Sequence, residues 1–103
     1  MITEIVLFKL PAGMTREDYR ARARASAPAC GANPTLVRKN YRYDAERGYG
    51  GGAYLWPSVA EAQKWHGDAF KQRIKAVFGS EPTFTYYETP VVVDNVAREI
   101  IGA

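Results

Sequence analysis

The residues of this sequence that are best suited to chemistry lie at its one histidine and in the segment just before it. Histidine is the side chain whose ordinary pKa lies closest to neutrality, which makes it a common proton acceptor in active sites. His66 falls in a run whose apolar residues recur at three- and four-residue steps, and this spacing places it on the inward face of a helix. His66 is therefore the candidate catalytic base, and Tyr54 is a candidate catalytic hydrogen-bond donor.

Further candidates suit contact with a small aromatic molecule. Because side chains alternate along a strand, Tyr54 and Trp56 share one side of it, and Lys39 and Tyr41 share one side of an earlier strand. An ammonium and a hydroxyl at that place would stabilise a phenolate. The candidate substrate-binding residues are Lys39, Tyr41, Trp56, Trp65, Phe70 and Tyr86. Packing in the core or at an interface is the alternative role for the aromatic residues, and covering apolar surface is the alternative for Lys39.

Three consecutive glycines, Gly50 to Gly52, stand directly before these aromatics. Glycine weakens a strand by its entropy and by the packing it lacks. Three in a row therefore predict a bulge, a bend, or close contact with a ligand or another backbone.

The elements that must position these residues follow the order β-α-β-β-α-β. A strand is predicted over 5–10. A helix is predicted from Thr15, which forms a capping box with Asp18, and the helix is expected to be broken by Pro28, Gly31 and Pro34. The remaining predicted elements are an alternating strand over 36–43, the glycine-rich strand up to Pro57, a second helix, a strand over 83–93 and a terminal turn over 96–101. The second helix is expected to begin with a capping box at Ser58 and Glu61, to kink or restart at 67–68, and to end at Gly79.

This order predicts an α+β, ferredoxin-like βαββαβ fold, with an antiparallel sheet and both helices on one face. Residues 1–103 are expected to form a single domain. The other face of the sheet would expose apolar and aromatic side chains, which a second copy of the chain can cover. A homodimer is therefore expected.

Composition narrows the possible classes of protein. The net charge is only +3, and Cys30 is the one cysteine, so neither an internal disulfide nor a structural metal site is expected. The thiol is expected in a Pro/Gly loop without a nearby base, and hence to be unreactive. No segment approaches the roughly 20 apolar residues that span a bilayer, and no basic, apolar leader opens the chain. The expectation is a cytoplasmic protein without a membrane partner.

Several blocks of the sequence resemble a family of small proteins classed as monooxygenases in the dimeric α+β-barrel superfamily. The most specific are Gly-Gly-Ala-Tyr-Leu-Trp at 51–56 and Val-Val-Val-Asp-Asn at 91–95, and Trp65-His66 is another. The resemblance covers nearly the whole chain. It implies a homodimer with a pocket in each protomer between sheet and helices, in which phenolic compounds react with oxygen without flavin, haem or metal.

The sequence thus predicts a cofactor-independent monooxygenase that acts on a small hydroxyaromatic or polycyclic compound. A non-catalytic homodimer that binds a small apolar metabolite is the alternative. RNA binding is a third class, because the same element order describes the RNA-recognition domain. Its motif fails here, since Gly51 stands where a base-stacking aromatic is required, and no nucleic-acid partner is expected.

Overall fold

The fold is α+β, with a four-stranded antiparallel sheet, three helices and a C-terminal hairpin. It was obtained as a computed structural model, which describes residues 1–102. The elements are β1 (Ile2–Lys9), α1 (Arg16–Ala32), β2 (Arg38–Asp44), β3 (Tyr49–Trp56), α2 (Val59–Trp65), α3 (Asp68–Phe78), β4 (Thr83–Glu88), β5 (Val92–Asp94) and β6 (Glu99–Ile101). The predicted α+β class is confirmed, and the arrangement is compatible with a ferredoxin-like fold although the chain has more elements than the six expected.

The sheet has the strand order β2-β3-β1-β4, and its two faces differ in chemistry. Glu4 lies opposite Tyr54 on one side and Tyr86 on the other, so these side chains project from the same face. We call this the inner face, because its strand residues form one core cluster with residues of the helices. The opposite, outer face carries Ile5 and Leu55, which are only partly buried and lie outside that cluster.

Helix α1 begins where the sequence predicts and ends later. The Thr15 hydroxyl accepts a hydrogen bond from the Asp18 backbone N–H at 3.1 Å, and the Asp18 carboxylate accepts from the Thr15 N–H at 3.3 Å. The predicted break at Pro28 is wrong, because the helix continues through it to Ala32. Pro28 lies on the exposed side of α1, where water can satisfy the carbonyl that a proline leaves without its helical partner.

The second predicted helix is two helices with a break at His66 and Gly67. Ser58 caps α2 by accepting a hydrogen bond from the Glu61 N–H, and Gly79 ends α3 in the left-handed conformation, as the sequence predicts. A new helix begins at Asp68, which is the restart that the sequence offered as the alternative to a kink. The break places His66 at the end of α2, with its side chain still directed into the core.

The predicted strand over 83–93 and terminal turn over 96–101 are both wrong in detail. Strand β4 ends at Glu88, shortly before Pro90, whose ring nitrogen has no hydrogen to donate to a strand ladder. The chain then forms a separate hairpin of β5 and β6. An ion pair between Arg38 and Asp94, with an N–O distance of 2.7 Å, joins this hairpin to β2. Within residues 1–102, no helix has the length and apolar character needed to cross a bilayer.

Candidate functional site

A cavity of about 420 Å³ lies between helix α1, helix α3 and the inner face of the sheet. Helix α1 contributes mainly small residues to its wall, and these are Ala23, Ala25, Ser26, Ala29 and Cys30. Only Tyr19 among the residues of α1 is buried. Its hydroxyl donates to the Gly51 carbonyl and accepts from the Gly51 N–H, each at 3.0 Å, which holds the helix to β3 at one end of the cavity.

The polar centre of the cavity is the Lys39 ammonium. It lies 3.7 Å from the ring centroid of Tyr41 and 4.7 Å from that of Tyr54, close enough for cation–π attraction to both. Its Nζ is also 3.6 Å from the Cys30 sulfur. The Tyr41 hydroxyl is 2.6 Å from the Ser26 hydroxyl, which links β2 to α1 across the cavity. We call these five residues the Lys39 cluster.

Burial shifts the protonation equilibria of the Lys39 cluster. It lowers the pKa of Lys39, an effect that the neighbouring Cys30 opposes. Burial also raises the pKa of Tyr41 to about 12 and raises that of Tyr54. At neutral pH both tyrosines therefore keep their protons and can donate hydrogen bonds, while Lys39 gives up its proton more readily than an exposed lysine does.

His66 lies behind the cavity and forms a buried network with Glu4 and Trp56. Its Nδ1 is 2.8 Å from Glu4 Oε1 and 2.9 Å from Oε2, and the Trp56 indole N–H donates to the same carboxylate at 2.9 Å. Glu4 is 0 % exposed and His66 3 %, so water does not compete for these bonds. The rings of Tyr54 and Phe70 pack on His66, with centroids 4.6 and 4.4 Å away, and both also line the cavity.

The structure gathers most of the predicted site residues around one cavity. Those that line it are Lys39, Tyr41, Tyr54, Trp65 and Phe70. His66 and Trp56 do not line it and instead form the buried network with Glu4. Tyr86 is on the inner face of β4, opposite Glu4, and also lies outside the cavity wall. The predicted proton acceptor is therefore separated from the cavity by aromatic rings.

Two features of the site differ from what the sequence predicts. Glu4 lies outside the predicted first strand, but the observed strand begins at Ile2 and therefore includes it. Because side chains alternate along a strand, Glu4 and Val6 project from the same face and both are buried. Extending the alternation backwards from Val6 is the sequence signal that would have identified Glu4. The expected loop position of Cys30 is wrong, because the continuation of α1 through Pro28 places it on the helix. Its thiol faces Lys39 instead of lacking a basic neighbour.

The glycine-rich strand is explained by contacts with the protein itself. Gly51 has φ +146°, and a Cβ there would collide with the Val6 carbonyl oxygen on β1, so another backbone is the close neighbour. A Cβ at Gly52 would lie 2.9 Å from the Tyr54 ring and 3.2 Å from Cε of Lys39. Gly52 therefore leaves room for two of the side chains that form the cavity wall.

No protein-family model matches this sequence, and no curated protein matches it. The case for a function therefore rests on the geometry of the cavity. An apolar space lined by aromatic rings, with one amine and several protonated hydroxyls inside it, can bind a phenol, take up its proton and stabilise the resulting anion.

Proposed function

We propose that this protein is a cofactor-independent monooxygenase that oxidises a small hydroxyaromatic compound in the cavity between α1, α3 and the sheet. The observation that carries the proposal is the position of Lys39, a partly buried amine between two tyrosine rings in an aromatic-lined space. A group with a lowered pKa at such a place is suited to accept a proton from a phenol.

The first step uses Lys39 in its uncharged form, whose fraction the lowered pKa increases. The phenol proton passes to this amine, which leaves an ammonium beside a phenolate. The phenolate then gives one electron to molecular oxygen, and the resulting phenoxyl radical and superoxide combine at a ring carbon to form a peroxide anion. Lys39 returns its proton to this peroxide. The ring carbon of this hydroperoxide then loses its proton while the O–O bond breaks and releases hydroxide, and the two combine to one water molecule. The product is a quinone that contains one oxygen atom from O₂, so molecular oxygen is the only co-reactant.

The neighbouring residues act on charge and orientation. The hydroxyls of Tyr41 and Tyr54 remain protonated and can donate to the phenolate and the peroxide. Trp65 and Phe70 supply apolar walls for the ring. Catalysis by His66 stays a prediction, and contact with the Tyr54 ring is the route by which it would influence the cavity.

The proposal includes a homodimer formed through the outer face of the sheet. No outer-face strand residue belongs to the hydrophobic core, although Ile5, Leu7 and Leu55 lie there. Tyr87, on the edge strand β4, shares this face and is 56 % exposed. A second copy packed on this face would remove the apolar surface from water, as in a dimeric α+β barrel.

A non-catalytic protein that binds a small apolar metabolite is the second candidate. One observation favours it: no histidine and no carboxylate is found among the described residues that line the cavity. The one histidine instead bonds to Glu4 away from it. In this case the aromatic wall of the cavity would hold the metabolite, and Lys39 would accept no proton from it.

Oxygen uptake and ligand binding, measured together, distinguish the two candidates. The protein is titrated with a panel of naphthols while tryptophan fluorescence and dissolved oxygen are recorded, since Trp65 lines the cavity. Lys39→Met should abolish oxygen uptake, whereas Lys64→Met, an exposed lysine on α2, should not change it. Saturable quenching without oxygen uptake would support the binding protein instead, and no response to any phenol would refute the monooxygenase.

A further inference from the structure

The charged residues that line the cavity are all cations. They are Arg22 on α1, Arg73 on α3 and Lys39 on β2, and no aspartate or glutamate is found among the lining residues that the structure describes. We infer that the ligand of this cavity is an organic acid, consisting of an aromatic ring system that enters the cavity and a carboxylate that Arg22 and Arg73 hold at its opening. This inference rests on the proposed function only in assuming that the ligand also carries a phenolic hydroxyl group close to Lys39.

The two arginines have no partner of opposite charge within residues 1–102. The other arginines close to a carboxylate, such as Arg38 with Asp94 and Arg16 with Glu17, form ion pairs with N–O distances of 2.7 and 2.9 Å. Neither Arg22 nor Arg73 forms one. An anionic ligand would therefore not have to displace an existing partner from either guanidinium.

The placement of the charges matches a molecule with two different ends. Arg22 and Arg73 are exposed as well as lining the cavity, so they mark its opening between the two helices. Lys39 lies inside, between the tyrosine rings. The guanidinium of Arg73 is 5.4 Å from the Phe70 ring centroid, which connects the charged opening to the apolar wall.

Physical chemistry favours a carboxylate at this opening. A planar guanidinium binds a carboxylate through two parallel N–H···O bonds, and the cavity is lined by one such group from each of its two helices. The positive charge of Arg73 also contributes to lowering the pKa of Lys39, after the larger effect of burial. A bound anion would relieve the repulsion among the three cations, so affinity should decrease with increasing salt concentration.

Calorimetric titration with three matched compounds tests the inference: 6-hydroxy-2-naphthoate, its methyl ester and 2-naphthol. All three present the same ring and hydroxyl, but only the first carries a carboxylate. The acid should bind about tenfold more tightly than either neutral compound, the gain expected from one or two partly exposed charge-assisted hydrogen bonds. The double variant Arg22→Gln and Arg73→Gln should lose this preference, so that it binds the acid no more tightly than the ester, while binding of 2-naphthol remains measurable.

Arg24→Gln is the matched control, because Arg24 is an exposed arginine of the same helix that does not line the cavity. It should keep the preference for the acid. Equal affinities for the acid and the ester, or a preference that survives in the double variant, would overturn the inference while leaving phenol binding in place. A preference for the acid without oxygen uptake would support the inference and contradict the monooxygenase, and binding of none of the three compounds would refute both.

Discussion

The buried carboxylate of Glu4 offers the most direct test of how the site is built. It is 0 % exposed, and its oxygens accept from the Trp56 indole and lie 2.8 and 2.9 Å from Nδ1 of His66. Glu4→Gln preserves the size of the side chain but replaces one acceptor oxygen with an NH₂ group. An amide oxygen in the place of Oε1 can accept from both Trp56 and His66, but the NH₂ group in the place of Oε2 then faces the N–H of His66 Nδ1 and has nothing to donate to there.

The magnitude follows from counting donors and acceptors. If the amide oxygen accepts from Trp56, its NH₂ group faces Nδ1 of His66, which can accept only if the imidazole proton moves to Nε2. The Nε2 atom is buried without a hydrogen-bond partner among the described residues, so that N–H would be unpaired. Every arrangement therefore leaves one buried N–H unsatisfied, which costs about 1–3 kcal/mol. For a domain of this size the melting temperature should fall by roughly 5–20 °C.

Urea and thermal unfolding, followed by circular dichroism at a fixed protein concentration, provide the measurement. Glu17→Gln is the control, because its carboxylate is 74 % exposed and pairs with Arg16 at the surface. That control should change the free energy of unfolding by less than about 0.5 kcal/mol. If Glu4→Gln is as stable as the control, the Glu4 carboxylate does not hold His66 and Trp56 in place, and the expected cost of an unpaired buried N–H is refuted.

Three further predictions concern the strand glycine, the buried amine and the outer face. Gly51→Ala should destabilise the protein by more than about 2 kcal/mol, because Gly51 has a φ of +146° and a Cβ there would collide with Val6. Gly31→Ala is the control: Gly31 lies on a helix with open space around it, and the change should be neutral or stabilising by up to about 1 kcal/mol. Chemical denaturation compares the two variants, and equal effects would contradict the close approach of the strands. The pKa of Lys39 is lower in the folded protein than the ordinary value of 10.5, which applies to the unfolded chain. Between the folded and the unfolded pKa the unfolded chain therefore binds more protons, so the contribution of Lys39 to stability should rise with pH over that range. Lys39→Met should remove this rise and stabilise the protein at neutral pH, as unfolding from pH 7 to 10 would show; an unchanged pH profile would place the amine in water. Ile5→Glu should convert a dimer of 11.5 kDa protomers into monomers in analytical ultracentrifugation without unfolding them, and a protein that is monomeric before the change would refute the proposed interface.

Much of the fold could be predicted because its signals are local. The Thr15 capping box, the Ser58 cap and the Gly79 terminator act within a few residues, and each lies where the sequence placed it. The shared side of Lys39 and Tyr41 follows from strand alternation, and the structure confirms it. The failures also have local causes. Pro28 carries a strong signal against a helix, but an exposed position on α1 tolerates it.

The sequence by itself determined which residues have the chemistry for a site: one histidine, a lysine and a tyrosine on the same side of a strand, and aromatics at strand and helix spacing. Only the tertiary structure decided which of them face a common space. Glu4 and His66 are 62 positions apart, and it was the register of β1 and the end of α2 that brought them together behind the cavity. Cys30 meets Lys39 because α1 continues through a proline. Periodicity specifies the direction of a side chain on its own element, but the distance between two elements depends on the volumes of all the side chains between them, and that is a property of the packed chain.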